Sequence, residues 1–62
     1  MLEFYMKKVH IIDSLGRELE GIVEDYFSPE DNESGSESIM VKTRSASIEI
    51  KKENIQKIEL VS

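Results

Sequence analysis

The 62-residue chain has no cysteine, one histidine, one proline and three glycines. Without cysteine there is no disulfide, and a lone imidazole with no thiolate gives a structural zinc ion no donor set. These exclusions matter because a chain this short buries only about 60% of the surface its unfolded form exposes. Small scaffolds commonly add a staple. Self-association is the staple that remains, beside a monomer held by an apolar core alone. No apolar run approaches the roughly 20 residues that span a bilayer. The opening Met1-Leu2-Glu3-Phe4-Tyr5-Met6 is short, carries an acid and is followed, not preceded, by Lys7-Lys8, the wrong order for a signal peptide. The expectation is one soluble, cytoplasmic domain over residues 1–62, with no membrane partner and no cofactor.

One sign of charge is also missing from a long stretch. Residues 18–37 hold eight acids and no base, whereas 1–17 hold three bases and two acids, and 38–62 hold five bases and three acids. The middle therefore sets the net charge of −5. Such a chain has no overall field to attract phosphate backbones, although a small basic patch can exist elsewhere. The acids serve first to keep a small domain soluble.

What is present is alternation. Lys7 to Ile12 is rich in β-branched residues, with Val9 and Ile11 on one face and Lys8, His10 and Ile12 on the other. Asp13-Ser14-Leu15-Gly16 suits a type I turn. A long second strand, Arg17 to Phe27, puts Leu19, Gly21 and Val23 in phase but Tyr26 out of phase, which predicts a bulge near Glu24-Asp25 or a strong coil of the strand. Residues 28–36 form an acidic surface loop of turn-forming residues. Glu37 to Thr43 is the third strand, Arg44-Ser45 a hairpin turn, and Ala46 to Lys51 the cleanest alternation, with one face core and the other water. Ile55 and Ile58 lie three apart, as in a tight helical turn, before a last strand Gln56 to Val61. Leu2 to Met6 is either a single helical turn or the lead into the first strand. Five short-linked strands predict an all-β fold, a barrel or a sandwich, and a long bent second strand favours a small, strongly bent antiparallel barrel.

Few residues carry chemistry. Glu30, Asn32 and Ser34 with Gly35 imitate the first half of a calcium loop, but the position of the bidentate glutamate is Val41. Asn32-Glu33-Ser34 has the glycosylation pattern without a secretion signal. His10 has no cysteine or nucleophile partner, and the adjacent Glu24 and Asp25 would point to opposite faces, wrong for a carboxylate pair. No catalytic or metal site is expected. Tyr26 and Phe27 could offer stacking surfaces, with core packing the plainer role.

Gly16-Arg17-Glu18-Leu19-Glu20-Gly21, followed by Ile22-Val23 and Tyr26, resembles the first motif of the Sm-like family, small five-stranded barrels of the SH3-like type. Ile50-Lys51-Lys52-Glu53-Asn54-Ile55-Gln56-Lys57-Ile58 is similar in spacing to that family's second motif. The resemblance covers most of residues 7–61 and implies a bent barrel with Gly16 and Gly21 as structural turn residues. It also implies uridine-rich RNA as a ligand, gripped by an aspartate, an asparagine and a basic-glycine pair. Here Phe27 stands at the aspartate position and Lys52 at the glycine position, and the asparagine has no counterpart; only Lys51 matches.

Two functions follow as expectations. The first is a non-catalytic binding module acting through protein–protein contacts, self-associating through sheet edges: small barrels of this type can join fourth and fifth strands between subunits, which would pair the edges left by Ile48-Ile50 and Ile58-Leu60. The alternative is a divergent Sm-like RNA binder in which Arg44, Lys51 and Lys52 contact phosphates.

Overall fold

Alternating β-branched residues give each strand one apolar and one polar row, and a sheet forms when the apolar rows align. The structure, a computed structural model, describes residues 1–33 and 35–61. Five strands, β1 (Lys8–Asp13), β2 (Glu18–Phe27), β3 (Ser38–Lys42), β4 (Ser47–Lys51) and β5 (Ile55–Leu60), form one antiparallel sheet. Its order is β4-β3-β2-β1-β5. Short 3₁₀ turns occupy Leu2–Phe4, Pro29–Asp31 and Lys52–Asn54. The sheet is not closed, because β4 and β5 are its two edges. Ser34, which enters both the calcium-loop comparison and the glycosylation pattern, lies outside the described residues.

The apolar row of every strand lines one inner face. Val9, Ile11, Val23, Ile39, Val41 and Ile50 are buried, and Phe4, Leu19, Tyr26, Ile55 and Ile58 pack against them. Each such side chain stabilises the fold by about 1.5–3 kcal/mol when fully buried. The β1–β2 turn closes with the Gly16 N–H donating to the Asp13 carbonyl at 2.9 Å, and Gly16 sits at φ +83°, open to glycine at least cost. The β3–β4 hairpin turns at Arg44-Ser45 as expected, with the Thr43 N–H donating to the Ala46 carbonyl at 2.8 Å.

β2 serves β1 along its first half and β3 along its second. The pairing shifts between Val23 and Asp25, so that Val23 faces Val41 but Tyr26 faces Ile39. Glu24 is the extra residue, and this is the bulge that the phase of Tyr26 predicted. Before it, Gly21 admits a close approach of β3: a Cβ there would meet the Lys42 carbonyl oxygen and lie 2.8 Å from Val41 Cγ1. Strand and crossing partner can touch at this point only without a side chain.

The spacing of Ile55 and Ile58 has a different cause from the one expected. Ile55 begins β5, and the 3₁₀ turn precedes it at Lys52–Asn54. The two isoleucines share the inner side because the β1–β5 register shifts, Lys57 opposing Ile12 and Ile55 opposing Asp13. A bulge at Gln56 and a helical turn leave the same three-residue spacing, and only pairing with β1 separates them. On β4, the expected division into a core face and a water face is incomplete. Ile50 is buried, but Ile48, on the same inner row, is 41% exposed.

Gly21→Ala is expected to destabilise the fold by about 1–3 kcal/mol through overpacking against β3. Urea denaturation monitored by circular dichroism measures this, and an unchanged midpoint would mean that β3 does not approach as described.

Candidate functional site

In an antiparallel ladder, residues alternate between those whose backbone groups point to one neighbour and those whose groups point to the other. At the β4 edge, Thr43 N–H bonds to the Ala46 carbonyl and Lys52 N–H to the Glu37 carbonyl. With the β3–β4 register, this parity directs Ile48 and Ile50 to β3 and leaves Ser47, Glu49 and Lys51 with backbone groups facing out of the sheet. At the β5 edge, Val61 N–H donates to the Lys8 carbonyl at 3.0 Å. Lys57 and Glu59 therefore bond β1, and Ile58 and Leu60 hold their N–H and C=O groups outward. The two edges differ: β4 offers the backbone of its outer row, and β5 that of its inner, apolar row.

Apolar surface accompanies both. Leu60 opposes Val9 on the inner face yet is 56% exposed. Beside β4, Leu15, Leu19, Ile48 and Ile50 line an open groove of about 620 Å³, with Asp13 and Arg17 at its rim. Charges flank the central isoleucine of each edge: Glu49 and Lys51 around Ile50, Lys57 and Glu59 around Ile58.

Asp13 braces the groove's rim. Its Oδ1 accepts the Leu15 and Arg17 N–H groups at 3.0 and 2.8 Å, and its Oδ2 accepts Arg17 Nε at 2.8 Å. The Arg17 backbone N–H, then its guanidinium and the Leu15 N–H, hold the Asp13 carboxyl below the usual range against the opposing effect of burial. Arg17 remains exposed while serving as the brace's cation.

The residues singled out in the sequence do not converge. Gly16 and Gly21 are structural, at the turn and at the close approach. Arg44 is exposed in the β3–β4 turn, whereas Lys51 and Lys52 lie at the far end of β4. Phe27 is half-buried on the outer face opposite Ser38. Tyr26 turns inward opposite Ile39, and its hydroxyl donates to Glu37 Oε2 at 2.8 Å. Lys52 Nζ lies 3.7 Å from Glu37 Oε1, which the amino group of Met1 also reaches at 3.3 Å. The Tyr26 hydroxyl first, then these cations, hold the Glu37 carboxyl below its usual range although burial opposes them, and the bond to Glu37 raises the Tyr26 phenol. This cluster anchors the third strand to the 3₁₀ turn.

His10 is half-buried on the outer face, its Nε2 3.1 Å from Glu18 Oε1 and its Nδ1 3.8 Å from Glu59 Oε1. Among the described residues no group of three or more histidine, cysteine or acidic side chains is arranged to hold a metal ion, and no helix is long and apolar enough to cross a membrane. The acidic loop is tied down by Asn32, whose Nδ2 donates to the Ser36 carbonyl at 2.6 Å and to Ser38 Oγ at 3.2 Å, and Ser38 in turn donates to Glu49 Oε2 at 2.8 Å. Asp13 was legible from sequence as the first residue of the turn but not as the acceptor for Arg17, and Glu37 was not singled out because one acid among many carries no signal until its partners are brought together. The charges on the edge strands were legible in the alternation, but which backbone groups they flank was not.

No protein-family model matches this chain, and no curated protein or solved structure is significantly similar to it.

Two measurements check these bonds. Tyr26→Phe is expected to raise the Glu37 pKa toward its ordinary value, read by NMR titration of its side-chain carboxyl, and an unmoved titration would break the link. For Asp13, a folded-state pKa below the unfolded one contributes stability that is fully present above the ordinary carboxylate value of about 4 and lost as pH falls through the depressed value. Thermal melts should therefore lose stability in that acid window, and the loss should be smaller in Asp13→Asn; parallel curves for the two chains would count against the brace.

Proposed function

We propose that this chain is a non-catalytic binding module that acts through protein–protein contacts at its sheet edges, including contacts with further copies of itself. The observation that carries the reading is the free backbone row on each edge, lying beside exposed inner-face apolar side chains, Ile48 and Leu60. An added strand would satisfy those N–H and C=O groups and cover the apolar surface in the same step, the physics of β-strand addition. β5 has no proline to obstruct it.

The finer fold assignment belongs to the same proposal: a strongly bent sheet of the small Sm-like, SH3-like barrel type. It is supported by the strand count, the positive φ at Gly16, the long β2 with its bulge, and the 3₁₀ turn before β5. The RNA alternative has less support. Arg44 stands at the opposite end of the hairpin from Lys51 and Lys52, the Lys52 charge is taken up by Glu37, and the net charge is −5.

Light scattering after gel filtration at tens of micromolar is expected to give a mass above the monomer. Glu49→Pro and Leu60→Pro each remove an N–H that points away from the sheet and leave the ladder bonds intact. Combined, they are expected to return the chain to a monomer with an unchanged β-sheet spectrum. A monomeric wild type, or an oligomer indifferent to both prolines, would sink the edge reading.

A further inference from the structure

The parity of the edges restricts how two copies can join, and it points away from joining β4 of one to β5 of another in antiparallel fashion. Bonded residues must both have outward backbone groups. On β4 these are Ser47, Glu49 and Lys51, of the outer row; on β5 they are Ile58 and Leu60, of the inner row. Residues directly opposed in an antiparallel pair point their side chains to the same side. A β4–β5 antiparallel pair would thus set Glu49 or Lys51 beside Ile58, and Ile50 beside Lys57 or Glu59, joining a charged row to an apolar one.

Pairing β5 with its own copy has no such conflict. Centred on Ile58, the antiparallel register opposes Ile58 to Ile58 and bonds them through their outward groups. It continues the inner face of one sheet into that of the other. The same register opposes Lys57 of each copy to Glu59 of the other, twice, at the closely spaced non-hydrogen-bonded positions. Shifting by two residues, to oppose Ile58 to Leu60, sets Glu59 against Glu59. The charges therefore select the first register. β4 is less suited. The register that uses its whole length, centred on Glu49, opposes that acid to itself, and the one that matches Glu49 with Lys51 runs into the 3₁₀ turn at Lys52–Asn54.

We propose that the β5 edge, through the self-complementary run Lys57-Ile58-Glu59, pairs antiparallel with β5 of a second copy about a two-fold axis, extending the sheet to ten strands. The inference rests on the edge-binding function proposed above and names its partner and symmetry. It is an isologous contact, which closes at two copies instead of continuing into a ring or filament.

A charge-swap cycle tests it, with mass and dissociation constant read by sedimentation equilibrium and the fold checked by circular dichroism. Lys57→Glu and Glu59→Lys each replace two attractive pairs with two like-charge pairs and should weaken the dimer about tenfold or more. The double variant Lys57→Glu/Glu59→Lys restores both pairs with signs exchanged and should recover the wild-type constant to within about threefold. Mixing the two single variants should give a heterodimer. A parallel β4–β5 contact that opposes Glu49 to Lys57 and Lys51 to Glu59 would respond oppositely: the double swap would be the weakest chain. That result, or a wild-type mass above the dimer, overturns the two-fold β5 contact while leaving edge binding in place. A wild type that stays monomeric removes both.

Discussion

The structure depends on β2 serving two neighbours, one along each half of its length. Its first half bonds β1 and its second half β3, and a one-residue bulge at Glu24 interrupts the second pairing in this ten-residue strand. Two features permit this. Gly21 removes the side chain where the Lys42 carbonyl crosses, and the extra residue at Glu24 rotates the remainder of the strand by one side-chain position. That rotation brings Tyr26 inward onto Ile39 and toward Glu37. Without the bulge, Tyr26 would face water and Asp25 the core, at the cost of a buried carboxylate.

The edges follow from the same topology. Four antiparallel steps separate β4 from β5, so the two strands run in the same direction at opposite borders of the sheet. Chirality couples side-chain direction to the direction of the backbone groups along a strand. Two strands of the same direction at opposite borders must then free opposite rows. β5 frees the backbone of its apolar row and β4 that of its charged row. An edge whose free N–H groups belong to inward-facing isoleucine and leucine offers a partner both hydrogen bonds and apolar cover, which is the combination that soluble proteins guard or use.

Polar bonds at the ends of strands hold this frame in place. Asp13 ties the β1–β2 turn through three bonds, and Glu37 joins the second strand to the turn before β5 through Tyr26 and Lys52. Both oxygens of each carboxylate meet donors of the protein itself, and no buried side-chain polar atom among the described residues lacks a partner. Polar satisfaction of this kind is the signature of structural acids.

By itself the sequence determined the five strands, the turn at Gly16, the bulge near Glu24, the acidic loop and the apolar rows. These are local: a period of two, a break in phase or a glycine before a strand acts over a few neighbouring residues and is visible in them. Tertiary structure alone decided that Ile55 and Ile58 share a face through a bulge and that Ile48 is half-open while Ile50 is buried. It also decided which backbone groups remain free. Each of those depends on what lies beside a strand, and lateral pairing joins residues far apart in the chain. The alternation of Ile58 and Leu60 could be read from the sequence, but its direction toward an unoccupied edge required knowing that β1 bonds the other side.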